Sequence, residues 1–157
     1  VTVSDIKAKV RRLNQDPNRD PVGLIIIDYL QLMSSGKRNE SRVQEISEIT
    51  RNLKIMAKEL NVPLICLSQL SRSAEKGQGR DARPALSDLR DSGSIEQDAD
   101  VVLFLYRDAY YNKSEDADQT LAECIIAKNR HGESGTIPLS WDGAHTRFYD
   151  VDFTHND

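Results

Sequence analysis

Leu24-Ile25-Ile26-Ile27 runs without a polar break and is followed at once by Asp28. Four aliphatic residues with no alternation do not suit a strand that has one wet face. They predict a strand covered on both faces, as in a parallel sheet flanked by helices. Leu64 to Ser68, opened by Pro63, and Val101 to Tyr106 read as two more strands of the same kind. Between the first two, Val43, Ile46, Ile49, Leu53, Met56, Ala57 and Leu60 keep a helical period. Ser41-Arg42-Val43-Gln44 fits a capping box at the start of that helix, and Asn61 is a good stop at its end. Strands alternating with a long amphipathic helix give an α/β fold class.

The rest of the chain adds smaller pieces. Ser4 to Leu13 reads as a short helix with Ser4 as its cap and Ile6, Val10 and Leu13 on one face. Asn14 to Pro21 and Ser34 to Glu40 are polar loops, and Ser71 to Pro84 reads as an exposed, mobile one. Leu86 to Ala99 is a loop and helix around Asp88-Leu89-Arg90-Asp91-Ser92-Gly93, and Asn112 to Gln119 a polar excursion. Leu121–Lys128, Thr136–Trp141 and Thr146–Tyr149 alternate better, with turn residues at His131-Gly132 and Asp142-Gly143. They predict an antiparallel meander at the end of the sheet.

The 157 residues suffice for one domain and its core. Lys and Arg number 21 against 25 Asp and Glu, a net charge of −4, which excludes a blanket cationic surface. Nucleic-acid binding would have to come from a local loop or patch. The apolar runs are far short of a membrane span. The opening Val-Thr-Val-Ser is no signal peptide and lacks an initiator Met, so the chain reads as a piece of something longer. Cys66 and Cys124 each lie in an apolar run and read as buried free thiols in a reducing, cytoplasmic compartment. His131, His145 and His155 have no ligand-like spacing, so no zinc site is expected.

Three places could carry chemistry. Asp28 ends a buried strand, where open α/β sheets bind ligands, and a carboxylate there can hold hydrated Mg²⁺ beside nucleotide phosphates. Many strands also end in Asp for turn reasons alone. Gln69 follows the next strand, where an amide can sense a γ-phosphate or orient a water; it could equally be a solvated loop residue. Lys128 and Arg130 lie two apart at a strand end and could stabilise a transferring phosphoryl group, or simply be solvated. No GxxxxGK[ST] phosphate loop occurs in these residues.

Taken together, Asp28-Tyr29-Leu30-Gln31-Leu32-Met33, Ser68-Gln69-Leu70-Ser71-Arg72 and the run from Ser87 to Asp100 resemble bacterial replicative helicases of the DnaB type, in order and spacing. Ala127-Lys128-Asn129-Arg130 and Thr146-Arg147-Phe148 also match. The resemblance runs from about Val3 to Phe148. It implies a RecA-like, mainly parallel sheet flanked by helices and closed by the antiparallel meander. Residues 1–150 would be the C-terminal part of a helicase ATPase domain and 151–157 a tail.

The resemblance also implies a homo-hexameric ring on single-stranded DNA that uses ATP and Mg²⁺ to translocate and unwind duplex at the fork, with primase and a helicase loader as partners. Asp28 would be the Walker-B acid on Mg²⁺ through water, and Gln69 the γ-phosphate sensor. Lys128 and Arg130 would reach the neighbouring subunit's ATP, with Arg130 as arginine finger. Arg90, Asp91 and Gly93 match the DNA-contacting loop, although the family has Glu at position 91. The family's phosphate loop and catalytic glutamate precede the Walker-B strand, so a break in the sheet is expected between Leu64–Ser68 and Val101–Tyr106. These residues alone should then not hydrolyse ATP. The alternatives are a RecA-like ATPase of recombinase or clock type, and a non-catalytic assembly or DNA-binding module.

Overall fold

The computed structural model describes residues 1–36, 41–70, 83–111 and 117–151, and of residues 90–93 the backbone alone. Most of the loop expected at Ser71–Pro84, part of Asn112–Gln119 and most of the tail at 151–157 therefore lie outside the described residues. The chain divides into two units, Val1–Leu70 with Leu89–Ala99, and Ser71–Asp88 with Asp100–Asp157.

The first unit opens with α1 (Val3–Asn14). Its cap is Thr2, not the expected Ser4. Thr2 has an acidic partner three residues on: the Thr2 hydroxyl accepts from the Asp5 amide at 3.2 Å, and the Asp5 carboxylate accepts from the Thr2 amide at 2.8 Å. A cap at Ser4 would meet Lys7 at that position, which has no acceptor to return. Strand β1 (Ile25–Ile27) pairs in parallel with β2 (Leu64–Cys66), Ile25 opposite Leu64. The 19-residue α2 (Arg42–Leu60) makes the crossover that a parallel pair requires. The Ser41 side chain accepts from the Gln44 amide at its start, and Asn61 ends it in the left-handed region at φ 50°, ψ 45°.

Helix α2 buries Ile46, Ile49, Thr50, Leu53 and Met56, a stripe at helical spacing. These residues meet Val10 of α1, Ile25 and Ile27 of β1, and Leu30, Met33 and Val62 in one core. A 3-10 helix (Leu86–Ser92) leads into α3 (Gly93–Asp98). Ile95 of α3 packs against the core, and the Thr50 hydroxyl donates to the Asp98 carboxylate at 2.7 Å.

The second unit is a four-stranded sheet in the order β3-β4-β5-β6. Its strands are β3 (Val101–Tyr106), β4 (Leu121–Asn129), β5 (Gly135–Asp142) and β6 (Arg147–Asp150), all antiparallel to their neighbours. The expected meander is therefore present. A short helix the sequence did not suggest, α4 (Asp108–Tyr111), follows β3. Val102 stands opposite Lys128 but Leu103 opposite Ile126, so Ala127 is a bulge residue in β4.

Two expectations change. Among the described strands only β1 and β2 are parallel, so the sheet structure is mixed and its larger part antiparallel. Nor are β1 and β3 covered on both faces. Ile26 is 62% exposed, and in β3 Val102, Phe104 and Tyr106 are buried while Val101, Leu103 and Leu105 are open. An unbroken aliphatic run says that both faces of a strand are apolar; it does not say that these residues supply both covers. β2 and β3 fall in different sheets, where the break was expected. No described helix is long and apolar enough to cross a membrane.

Candidate functional site

The carboxyl ends of β1 and β2 form the candidate site. The parallel ladder continues past both strands: the Ile27 carbonyl accepts from the Leu67 amide at 2.9 Å, and the Leu67 carbonyl from the Leu30 amide at 2.8 Å. This brings Asp28-Tyr29 and Ser68-Gln69 to one edge of the pair, the edge at which α/β sheets bind ligands. Asp28 and Gln69 are both exposed there. The Asp28–Tyr29 peptide is cis. The chain then turns into a 3-10 turn, Leu30–Leu32, whose flanking residues Leu30 and Met33 are buried in the core.

Gln31, on that turn, spans the gap to β2. Its Nε2 donates to Ser68 Oγ at 3.0 Å and to the Gln69 carbonyl at 3.1 Å, and its Oε1 accepts from the Gln69 amide at 3.4 Å. Its own carbonyl accepts from Arg42 at 2.8 Å, and a second Arg42 nitrogen reaches the Met33 carbonyl at 3.3 Å. Arg42 also pairs with Glu45, whose carboxylate takes the Ser35 amide at 3.2 Å. The Arg42 guanidinium holds the Glu45 carboxyl below the usual carboxylate range, with the Ser35 amide adding to the effect. The first turn of α2 thus grips the segment that follows Asp28.

Lys128 and Arg130 lie in the second unit. Lys128 is the penultimate residue of β4, and Arg130 follows the strand in the turn, its amide donating to the Asp100 carbonyl at 2.8 Å. Residues opposite each other share a face, so Lys128 and Arg130, opposite Val102 and Asp100, take the same side. The Arg130 guanidinium stands 3.5 Å from the Asp100 carboxylate. Both ends of that pair are exposed, so it holds the arginine only weakly, by about 0–1 kcal/mol. Arg90 and Asp91 lie on the 3-10 helix before α3, and Gly93 opens α3; their side chains lie outside the described residues.

The sequence reading missed a further group. Arg107, directly after β3, lays its guanidinium over the Trp141 ring at 4.3 Å, and Phe148 tilts against that ring at 4.7 Å. Arg107 Nε is buried without a hydrogen-bond partner among the described residues. Its signal was a charged residue at the carboxyl end of an apolar strand, the same signal that singled out Asp28. Elsewhere in this unit, Arg83 makes two 2.7 Å contacts to Glu123 and lies over Tyr106, closing a cavity of about 230 Å³ also lined by Asp108, Leu121 and Ala122. Cys66 and Cys124 are free, half-buried thiols. Burial pushes Cys66 up to about 11, so it is a thiol and not a nucleophile at neutral pH.

Among the described residues no group of three or more His, Cys, Asp or Glu could hold a metal ion. A lone exposed carboxylate still suits Mg²⁺, which keeps several waters and takes its other ligands from phosphates.

Comparison with known proteins completes the description. Residues 1–150 match the family described as DnaB-like helicase C terminal domain. The replicative DNA helicase DnaB of Geobacillus stearothermophilus is 53% identical over 153 residues, 97% of this chain and 32% of that protein. The replicative DNA helicase DnaC of Bacillus subtilis is 50% identical over 158 residues, 100% of this chain and 34% of that protein. The chain thus spans about a third of the length of these curated relatives. Among solved structures, one described as an ATPase domain superposes with a TM-score of 0.85 at 45% identity, covering 96% of this chain and 52% of that one. A DnaB-like replicative helicase, described with its interactions with primase, gives 0.84 at 45% identity, covering 96% and 36%. With the family matched over residues 1–150 and relatives half identical over nearly its whole length, the chain belongs to the DnaB-like helicase C-terminal domain family.

Proposed function

We propose that this chain is the C-terminal part of a RecA-like ATPase motor in a hexameric replicative DNA helicase. The motor translocates on single-stranded DNA and unwinds duplex at the fork. The observation that carries the reading is the continued β1–β2 ladder, with Asp28 and Gln69 exposed on one edge. Asp28 holds Mg²⁺ through water, and Gln69 contacts the γ-phosphate of ATP. Mg²⁺ held there would supply neutralisation of the negative charge on the phosphates during transfer. Lys128 and Arg130 serve the nucleotide of the next subunit, since a guanidinium engages phosphate oxygens in a planar fork.

Arg90, Asp91 and Gly93 contact single-stranded DNA, consistent with a net charge that leaves no room for diffuse binding. Residues 1–150 form the domain part and 151–157 its tail. A cytoplasmic location, primase and a loader follow from the family, one member of which is described with primase. Since no GxxxxGK[ST] occurs here, the phosphate cradle comes from residues outside these 157.

The test is Asp28→Asn in the complete helicase. The Asp28 carboxylate makes no ion pair among the described residues, so the melting curve should not move. Mg²⁺-dependent hydrolysis should fall by on the order of 10²-fold or more, the loss expected when a charge-stabilising group is removed. Turnover close to wild type would remove Asp28 from the site.

A further inference from the structure

We propose that Gln31 is a positioning residue: its side-chain amide takes over the strand pairing that β1 abandons after Asp28, and so locks the γ-phosphate sensor to the metal-holding turn. The inference rests on the roles given above to Asp28 and Gln69.

After Leu67 the β2 backbone still runs on, but its former partner has turned away into the 3-10 turn. The peptide groups around Gln69 would then face water or nothing. Gln31 meets them with a planar amide that donates to Ser68 Oγ and the Gln69 carbonyl and accepts from the Gln69 amide. One side chain thereby brackets the Gln69 backbone on both sides, while the Gln69 side chain stays exposed at the ligand edge. Glutamine is suited to this in a way its near relatives are not. Glutamate cannot donate, methionine keeps the length without either function, and asparagine is one methylene short.

The bracket is itself held from behind. Leu30 and Met33 fix the turn in the core, and Arg42 binds the carbonyls of Gln31 and Met33. The Gln69 backbone can therefore shift only by breaking the Gln31 bonds or by carrying the turn, and Asp28 lies three residues before Gln31 in the segment that leads into that turn. A change of phosphate state felt at Gln69 reaches Asp28 as a displacement of one connected piece.

The test compares Gln31→Met, Gln69→Ala and the double variant in the complete helicase, reading kcat and KM for ATP with and without oligo-dT, together with thermal melting. Gln31→Met should lower the DNA-stimulated kcat roughly three- to tenfold, the size of one or two net hydrogen bonds, with KM little changed. In the double variant it should add almost nothing to Gln69→Ala, because the sensor it positions is already gone. Gln31→Glu should resemble Gln31→Met, since shape without donors does not suffice. Ser68→Ala removes one acceptor and should act in the same direction, by about twofold. A wild-type kcat in Gln31→Met, or effects that multiply in the double variant, overturns the proposal. If Gln31→Met does not assemble, Ser68→Ala decides, and an unchanged kcat there overturns it. Full DNA stimulation in Gln69→Ala would instead strike the sensor assignment, and so separates the two readings.

Discussion

At Cys66 one thiol shows how burial sets chemistry. It ends β2, half-buried, and its pKa rises from an ordinary 9.0 to about 11 because the thiolate is poorly solvated there. The folded chain therefore holds the Cys66 proton more tightly than the unfolded one. That contribution to stability is complete below pH 9 and is lost as pH rises through about 11. Alkylation by iodoacetamide should be slow at Cys66 at pH 7.5 and should climb steeply above pH 9; a rate equal to that of a free thiol at neutral pH would refute the burial argument. The thiol state was legible in the sequence from the apolar setting of Cys66. Gln31 was not, because its partners lie 37 and 38 residues away and no local pattern marks an amide that reaches across to another strand. Asp28 and Gln69 were legible as strand ends, but only the pairing register brings them to one edge. Thr2 and Ser4 illustrate the limit of residue-type rules: both can cap, and the acid three residues on decides between them.

Among elements, α3 depends on what it packs against. It is six residues long, too short to hold itself together, and Thr50 and Ile95 tie it to α2 and the core. Thr50→Val keeps the shape and removes the hydroxyl that serves the Asp98 carboxylate. It should cost about 1.5–3 kcal/mol where the carboxylate loses its donor, and raise amide exchange across α3 before the rest of the unit. Exchange that rises evenly over the unit, or not at all, would refute the tether. Element boundaries of α2 were legible because Ser41 and Asn61 act through local backbone geometry. The β4–β5–β6 meander was legible for the same reason, its turns carrying Gly and Asp at the reversals. Burial of β1 and β3 on both faces was not, since the side-chain pattern records what a face tolerates and not what is present to cover it.

On the scale of the whole chain, those uncovered faces govern behaviour in solution. Leu24, Ile26, Ile65 and Leu67 in the first unit and Val101, Leu103 and Leu105 in the second are large apolar side chains left open on strands or directly beside them. Contiguous patches of this kind drive association. Prepared as these 157 residues alone, the chain should self-associate in sedimentation experiments and show no steady ATP turnover. Leu103→Lys with Leu105→Lys should keep the far-UV spectrum, shift stability by no more than about 0.5 kcal/mol for each exposed site, and reduce the association. A chain that sediments as a monomer without these changes would show that the open faces are tolerated.

The bulge at Ala127 sets the side of β4 on which its last cations emerge. On either side of it the strand pairs with β3 in registers that differ by one, Lys128 with Val102 and Ile126 with Leu103. Ala127 has no partner of its own, so Lys128 follows Ile126 in the ladder as if it were the next residue. Lys128 and Arg130 share the side of Val102 because Ala127 is absorbed as a bulge; were Ala127 paired as a regular strand residue, alternation from Ile126 would set both on the side of Leu103. Length changes beyond Arg130, in the turn at His131-Gly132, leave that choice untouched. Insertions in the turn are thus silent for these two residues, and so is loss of Ala127, whereas drawing Ala127 into the ladder with every residue kept would reverse their orientation.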